Sequence, residues 1–161
     1  MANGKPVKAV RGVDLRRYMG RWYQLASFQD FFLPPNAVDT RATYSLNADG
    51  TVNVLNETFT NGVRYPIQGL AYRVNPNSDE AKLKVKFPYP STPGDYWIIY
   101  LDSGYQLAIV GDPARNNLFL LSRKAHVCDA TYNMLVMKAR HQGYDVTKLQ
   151  KTFQSPTPPP S

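Results

Sequence analysis

The chain has 161 residues, the size of a single domain. A hydrophobic fraction of 43% and a charged fraction of 19% exclude a disordered or collagen-like protein. The 19 lysines and arginines exceed the 12 acidic residues, and the formal net charge of +7 favours anionic surfaces or ligands. The one cysteine, Cys128, excludes an intramolecular disulfide and favours a reducing compartment.

The two ends of the chain differ from its middle in composition. The first residues lack the apolar stretch of a signal peptide, and no apolar run approaches the length of about 18 residues that would cross a membrane. We therefore predict a cytoplasmic protein that is not secreted. We expect residues 1–12 to be a flexible N-terminus, residues 13–153 to be the folded domain, and the proline-rich residues 154–161 to be a disordered tail.

The middle of the chain reads as a series of short strands. Residues 13–20 look like a short helical plug, and turn signals such as Asn61-Gly62 then recur about every 9–16 residues. Sequential hairpins predict an all-β fold, an eight-stranded antiparallel up-and-down β-barrel wide enough for one small ligand. A β-sandwich is the competing architecture, and the absence of a long crossover favours the barrel. The predicted strands are 22–28, 39–47, 51–59, 64–74, 81–87, 95–101, 105–111 and 117–123.

One helix follows the last predicted strand. Tyr132, Leu135 and Ala139 recur with helical spacing and predict an amphipathic helix of about 13 residues. Asp129 is the expected N-cap and Gly143 the expected left-handed stop. Because some strands are apolar on both faces, we expect this C-terminal α-helix to pack against the outside of the barrel.

Three motifs in this order resemble those of the lipocalins, over almost the whole chain. They are Gly20-Arg21-Trp22-Tyr23, Gly94-Asp95-Tyr96 and Ser122-Arg123, and the second departs from the usual Thr-Asp-Tyr at its first position. Segments such as 78–87 are most similar to plant temperature-induced lipocalins, and 21–28 to the bacterial lipocalin and apolipoprotein D branch. The resemblance implies peripheral membrane association, a cytoplasmic location and a protective role in heat or oxidative stress.

The resemblance also assigns structural roles at one end of the barrel. It implies that the Arg123 guanidinium lies across the Trp22 ring and closes the floor, beside Gly20. A cation over an indole contributes about 0.5–2 kcal/mol when it is desolvated.

The alternation of each strand then predicts which residues face a ligand. The register set by Trp22 and Arg123 gives an apolar, aromatic interior with a few polar tips, as in pockets for apolar small molecules. The alternative is a filled core without a cavity. Small residues such as Ala42, Gly69 and Ala71 argue against this alternative, because they leave room inside the barrel. The predicted ligand-binding residues are Ala26, Phe28, Tyr44, Val54, Asn56, Phe87, Tyr96, Ile98, Tyr100, Phe119 and Leu121.

The open end and one strand face suggest a membrane contact. The aromatic and apolar run of Phe31, Phe32, Leu33 and Pro34 is expected at the rim of the barrel. Lys82, Lys84 and Lys86 form a stripe that could meet an anionic membrane surface, and the alternative is a solvated strand face. The 88–94 loop is shorter than the proline-rich apolar loop that the family often carries there. Nucleic acid is not an expected partner, because the basic residues are spread out.

Catalytic and cofactor signals are weak. His126 and His141 have no metal-like spacing to a second ligand, so we predict no metal, no cofactor and no catalytic residue. The expected function is non-enzymatic binding of a small hydrophobic ligand, such as a fatty acid or sterol. The alternatives are an enzyme that acts on a lipid or carotenoid held in the barrel, and a haem- or tetrapyrrole-binding lipocalin that uses Tyr44, Tyr96 or Tyr100.

Overall fold

A computed structural model describes residues 4–30, 33–89 and 92–160. A short helix, α1 (Leu15–Tyr18), leads into eight strands, and α2 (Asp129–His141) and a 3-10 turn (Val146–Lys148) follow them. A ninth short strand, β9 (Gln150–Lys151), comes near the end of the chain. The eight strands are β1 (Gly20–Ser27), β2 (Val38–Leu46), β3 (Val52–Thr60), β4 (Val63–Arg73), β5 (Lys82–Lys86), β6 (Gly94–Leu101), β7 (Leu107–Gly111) and β8 (Leu118–Ser122).

The sheet closes into a barrel. Each strand from β2 to β7 pairs antiparallel with the next one along the chain. Strand β1 pairs with β8 on one side, and on the other side its residues Gly20 to Tyr23 pair with β2. Closure removes the unpaired edges that a sandwich would keep. The predicted eight-stranded antiparallel barrel is confirmed. The additional strand β9 pairs with Ala26 and Ser27 at the end of β1.

Two bulges reverse the faces of β1 and β6. The ladder shifts register between Gln24 and Ala26 in β1, and between Ile98 and Tyr100 in β6. An extra residue at a bulge moves every later side chain to the opposite face. The prediction that Ala26, Phe28 and Tyr100 face the interior is therefore wrong.

Those three residues pack in an outer cluster between the barrel and α2. Tyr100 is half-buried at the edge of this cluster. Leu135 and Ala139 of α2 are completely buried there, so the helix covers the apolar outer face of the neighbouring strands. The buried residues of the outer cluster are Val7, Leu25, Ala26, Phe28, Ile99, Ile109, Leu118, Leu120, Leu135, Ala139 and Tyr144.

The ends of α2 are defined by local geometry. Its N-cap is Cys128, which makes no capping bond with its side chain, rather than the expected Asp129. The helix stops where Gly143 adopts a φ of 88°, the left-handed conformation that glycine accepts without strain. Tyr144 then turns toward the barrel, and its hydroxyl accepts a hydrogen bond from the Asp112 amide at 2.9 Å.

Within the described ranges, no helix is both long and apolar enough to span a membrane.

The N-terminal segment is attached to the barrel wall. The amide of Val10 donates to the carbonyl of Ile98 at 2.9 Å, and the carbonyl of Val10 accepts from the amide of Ala81 at 2.8 Å. Val7 is buried in the outer cluster. Residues 4–12 therefore differ from the expectation of a flexible N-terminus, because they bridge β6 and the start of β5.

The segment after α2 fills the gap where β1 and β2 diverge. The Gln154 side-chain amide donates to the carbonyls of Gln24, at 3.0 Å, and Thr40, at 2.9 Å, so one side chain joins the two strands. The amide of Ser155 donates to the Asp39 carboxylate at 2.6 Å. These contacts differ from the expectation of a disordered tail from residue 154, and they complete the barrel wall along this seam.

The floor of the barrel is sealed by an arginine on a tryptophan. The Arg123 guanidinium lies 3.9 Å from the centre of the buried Trp22 ring. It also donates to the carbonyls of Arg21, at 3.0 Å, and Tyr18, at 3.2 Å. Gly20 has a φ of 99°, and a Cβ there would lie 3.2 Å from an Arg123 nitrogen, so both backbone and space favour glycine.

Candidate functional site

The lower half of the barrel interior is densely packed. It encloses a cavity of about 20 Å³ above α1, which is room for one water-sized group. The accessible surface of the cavity is apolar, although three tyrosines are among its lining residues. The lining residues are Leu15, Tyr18, Met19, Tyr44, Val52, Ala71, Leu83, Val85, Tyr96 and Ile98.

The three tyrosines form a continuous chain of hydroxyl groups. The Tyr96 oxygen lies 2.7 Å from that of Tyr18, and the Tyr96 hydroxyl donates to Tyr44 at 2.8 Å. The rings of Tyr18 and Tyr44 stack with their centres 5.8 Å apart, and Tyr96 meets Tyr44 edge to face at 5.9 Å. Ring packing therefore fixes the positions of all three oxygens.

Burial keeps these hydroxyls protonated. Loss of hydration raises the pKa of Tyr44 to about 12, although its hydrogen bond to Tyr96 and the charge of Arg123 oppose the shift. Desolvation also raises the pKa of Tyr18 and of Tyr96 well above the usual value of 10.0. At neutral pH the three tyrosines therefore carry no phenolate charge.

The raised pKa values of these tyrosines predict that the protein loses stability in alkaline solution. When the pKa of a group is higher in the folded protein than in the unfolded chain, the group contributes stability at every pH below its unfolded-state pKa. This contribution disappears as the pH rises through the folded-state pKa. For Tyr44 the window runs from pH 10.0 to about 12, and two units are worth roughly 3 kcal/mol. We expect the free energy of unfolding, measured by urea titration, to fall over this window, and less steeply in Tyr44→Phe. A constant free energy through about pH 11 contradicts this prediction.

The structure divides the predicted ligand-binding residues into three groups. Tyr44, Tyr96 and Ile98 line the cavity. The other inward residues lie in or against the packed interior or face it by register, and they are Val54, Asn56, Phe87, Phe119 and Leu121. Ala26, Phe28 and Tyr100 lie outside the barrel, as described above.

Three apolar residues that the sequence analysis missed stand near the mouth. Val63, Tyr65 and Ile67 share the inward face of β4 with the buried Ala71, because the β3–β4 register has no shift. Their exposed fractions are 53%, 45% and 40%. The sequence could have predicted their inward orientation, because every second residue of β4, counted from the small residue Ala71, faces the interior.

Phe87 and a glycine shape the wall beside this mouth. A Cβ at Gly69 would lie 2.6 Å from the Phe87 ring, so the ring occupies the space that the glycine leaves. Beyond this contact β4 and β5 separate, and an open groove of about 290 Å³ lies between them. Of the predicted rim residues, Leu33 and Pro34 are half-buried, while Phe31 and Phe32 lie outside the described residues.

The predicted lysine stripe is largely paired within the protein. Lys84 lies 3.3 Å from the carboxylate of Asp95, and Lys82 lies 3.3 Å from Glu80. The Lys82 ammonium also sits 4.4 Å from the centre of the Trp97 ring. Only a part of the stripe's charge is therefore available to a membrane surface.

A buried charge network on the outer face of β2, β3 and β4 was not predicted. The Glu57 carboxylate accepts from Arg41 at 3.3 Å and from Arg64 at 2.6 Å. The side chains of Arg41 and Glu57 are fully buried, and Arg41 also donates to the carbonyl of Pro159. The proline-rich end of the chain thus covers this network.

Metal and cofactor chemistry finds little support in the described part of the chain. Residues 4–30, 33–89 and 92–160 contain no group of three or more histidine, cysteine or carboxylate side chains that could hold a metal ion. Tyr100 is outside the barrel, and a cavity of about 20 Å³ beside Tyr44 and Tyr96 cannot take a haem. Cys128 is exposed, and a hydrogen bond from Thr131 lowers its pKa.

Known proteins have sequences similar to that of this chain. A family model described as a lipocalin-like domain matches residues 13–154. Temperature-induced lipocalin-1 of Arabidopsis thaliana is 53% identical over all of this chain and 90% of that protein. The outer membrane lipoprotein Blc of Escherichia coli K12 is 35% identical over 88% of this chain and 80% of its own length.

A solved structure agrees at the level of the fold. Insecticyanin from the tobacco hornworm Manduca sexta superposes with a TM-score of 0.74, over 94% of this chain and 86% of that one. Its sequence identity is 20%, so this comparison carries information about the fold alone.

Proposed function

Since the chain belongs to the lipocalin family, we propose that it binds a small hydrophobic ligand inside the barrel, such as a fatty acid, a sterol or another lipid. Lipocalins are generally ligand binders rather than enzymes, and we propose the same for this chain. The observation that carries the proposal is the apolar inner face of β4, which runs from the cavity at Ala71 to the exposed Ile67 and Val63 near the mouth. Exposed apolar side chains that face inward are suited to contact with a ligand.

The geometry limits how such a ligand can lie. The floor cavity takes one water-sized group, so most of a lipid chain would occupy the upper interior beside Phe87 and Ile67. Burial of a methylene contributes about 0.8 kcal/mol, and a dozen of them contribute about 10 kcal/mol. Association and ordering of the chain offset several of these. Affinity in the micromolar range or better follows.

A matched pair of variants tests the site. Ile67 and Leu70 lie on the same strand with exposed fractions of 40% and 41%, but they face opposite sides of the sheet. We expect Ile67→Asp to weaken binding of a fluorescent fatty acid at least tenfold, because a carboxylate would be placed against the hydrocarbon chain. Leu70→Asp adds the same charge on the outer face and should leave the affinity within about twofold.

Two results of this titration would contradict the proposal. If the folded wild-type protein binds no apolar probe, ligand binding is wrong. If Leu70→Asp loses affinity and Ile67→Asp does not, the ligand occupies the groove between β4 and β5 rather than the interior. Circular dichroism spectra of both variants establish that the barrel is intact before each titration.

We also propose a cytoplasmic location with peripheral membrane attachment, and a protective role in heat or oxidative stress. The support is the likeness to a relative named as temperature-induced and to a relative named as an outer membrane lipoprotein. Liposome flotation with and without anionic lipid tests the attachment. A protein that does not float with either vesicle contradicts it. Comparison with Lys86→Glu, which changes the exposed end of the lysine stripe, tests whether the stripe makes the contact.

A further inference from the structure

Residues 152–160, which we call the C-terminal strap, run across the barrel wall. The Thr152 amide donates to the carbonyl of Leu25 at 2.9 Å, and the Phe153 carbonyl accepts from the amide of Asp39 at 2.8 Å. The strap thus bonds to β1 on one side and to β2 on the other. These two strands pair with each other over only four residues, so the strap holds the rest of their seam together.

Ser155 and Asp39 join the C-terminal strap to β2 by two hydrogen bonds. The Ser155 hydroxyl donates to one oxygen of the Asp39 carboxylate at 2.7 Å, and the Ser155 amide donates to the other oxygen at 2.6 Å. Asp39 is 3% exposed, so water screens this contact poorly. Because hydrogen bonds to an ionised acceptor are about twice as strong as neutral ones, closure of the strap depends on a neutral donor at Ser155.

Two unfavourable features of the closed strap favour its opening. Asp39 has a φ of 57°, a left-handed conformation that is unfavourable for a residue with a Cβ atom. Arg41 donates to the strap carbonyl of Pro159, but its Nη2 atom is buried and has no hydrogen-bond partner among the residues that the structure describes. Opening returns this donor to water. Within the strap only Gln154 is buried, so the strap can leave while the barrel core stays packed.

The sequence of the strap is that of a kinase substrate. Ser155 and Thr157 are each followed directly by proline, and proline-directed serine/threonine kinases recognise this pair of residues. Proline fixes its own φ angle and holds the residue before it in an extended conformation. The strap therefore stays extended when it leaves the barrel, as a substrate segment must be to enter a kinase cleft. Of these two hydroxyl groups, that of Ser155 bonds to the barrel.

We propose that Ser155 is a phosphorylation site and that its phosphate releases the C-terminal strap. The γ-phosphoryl group of ATP bonds to the Ser155 oxygen, its bond to ADP breaks, and the hydroxyl proton passes to the base of a proline-directed kinase. The product lacks the proton that Asp39 accepted, and it places nearly two negative charges against this buried carboxylate. Repulsion then opens the strap, and the seam loses the Gln154 bridge to β1 and β2. This regulation goes beyond ligand binding and does not depend on it.

Amide hydrogen exchange followed by NMR measures the release. The Thr152 amide reports on the closed strap, because it donates to Leu25 of β1. We expect a phosphate on Ser155, introduced into the full chain during translation, to speed exchange of this amide at least tenfold. A phosphate on the exposed Thr157 is the matched control, and we expect it to change the rate less than twofold. The Val10 amide, which bonds to β6, should exchange at the same rate in every sample.

A second variant tests whether repulsion is the cause. Asp39→Asn keeps the shape of the side chain and removes its charge, and we expect the Ser155 phosphate to speed exchange less than threefold in this variant, because the amide can donate to the phosphate. Exchange that is still tenfold faster overturns repulsion from Asp39. Unchanged exchange in the phosphorylated wild type also overturns the proposal, because His126, 3.0 Å from the Gln154 carbonyl, or Arg41 then holds the phosphate on the closed strap.

A kinase reaction tests the site itself. The wild-type protein and Asp39→Ala are incubated with ATP and a cyclin-dependent kinase, a member of the proline-directed class, and tandem mass spectrometry locates the phosphate. We expect phosphate on Ser155 in both proteins, at least fivefold faster in Asp39→Ala because its strap is open more often. Phosphate on Thr157 alone, or on neither residue, overturns the site, and equal rates contradict the role of Asp39 in closure. The exchange measurement on the phosphorylated wild type needs no substitution, so it decides the case in which a variant of Asp39 does not fold.

Discussion

Replacement of Trp22 by alanine is expected to lower the free energy of unfolding by about 4 kcal/mol. The side chain is completely buried, and its indole nitrogen donates to the carbonyl of Tyr18 at 2.8 Å. The variant loses this bond, leaves a large void at the floor, and removes the ring on which Arg123 stacks. For a chain of this length such a loss lowers the melting temperature by roughly 10 °C.

The second tryptophan of the chain is the matched control. Trp97 is half-buried on the outside of β6, where it contacts Lys82. We expect Trp97→Ala to cost about 1–2 kcal/mol, since part of the ring is already in water. Urea titrations followed by far-ultraviolet circular dichroism measure both, because the peptide groups dominate this signal. Equal losses in the two variants would contradict a special role for the floor.

Glu57→Gln is expected to lower the free energy of unfolding by about 3 kcal/mol, although the two side chains have the same shape. The substitution removes the negative charge that Arg41 and Arg64 share. Arg64 is 38% exposed and can turn toward water, but Arg41 is fully buried and keeps its charge in an apolar setting. The cost comes from that uncompensated charge.

Two further variants separate this cost from a loss of packing. Asp95→Asn removes the partner of Lys84 from a half-exposed pair on the barrel surface, and we expect it to cost less than about 1 kcal/mol. The double variant Arg41→Met with Glu57→Leu removes both buried charges, and we expect it to recover most of the loss. If the double variant is less stable than Glu57→Gln, shape rather than charge governs this network.

The fold could be predicted because its signals are local. Turn residues at regular spacing and alternating strands gave eight strands whose bounds differ from the observed ones by one or two residues at most ends. The helix was predicted at its observed position, because Leu135 and Ala139 recur on one face. Each of these signals spans fewer than about 15 residues, so neighbouring residues determine them.

The errors in the site come from the two bulges. A strict alternation from Trp22 places Ala26 and Phe28 inside, and the same rule from Tyr96 places Tyr100 inside. The bulge in each strand adds one residue and reverses everything beyond it. A bulge depends on how the partner strand pairs, and one strand's own sequence does not show this. The residues before each bulge, such as Ile98, were placed correctly.

The ends of the chain were mispredicted for a related reason. Prolines in residues 156–160 indicate that a segment cannot form a helix or a central strand, but they do not prevent it from packing. The Gln154 bridge and the contact of Pro159 with Arg41 join residues more than 100 positions apart. Composition carries no information about such pairings.

The way in which the seam closes has a consequence for synthesis. Strand β1 pairs with β2 over only four residues. The rest of β1 forms its hydrogen bonds with β8, β9 and Gln154, which come later in the chain. Because a ribosome delivers the N-terminal strands first, most of β1 stays an open edge until nearly the whole polypeptide has emerged. Open edges recruit strands from other molecules. Aggregation of nascent chains should therefore depend most strongly on how fast the final stretch is translated.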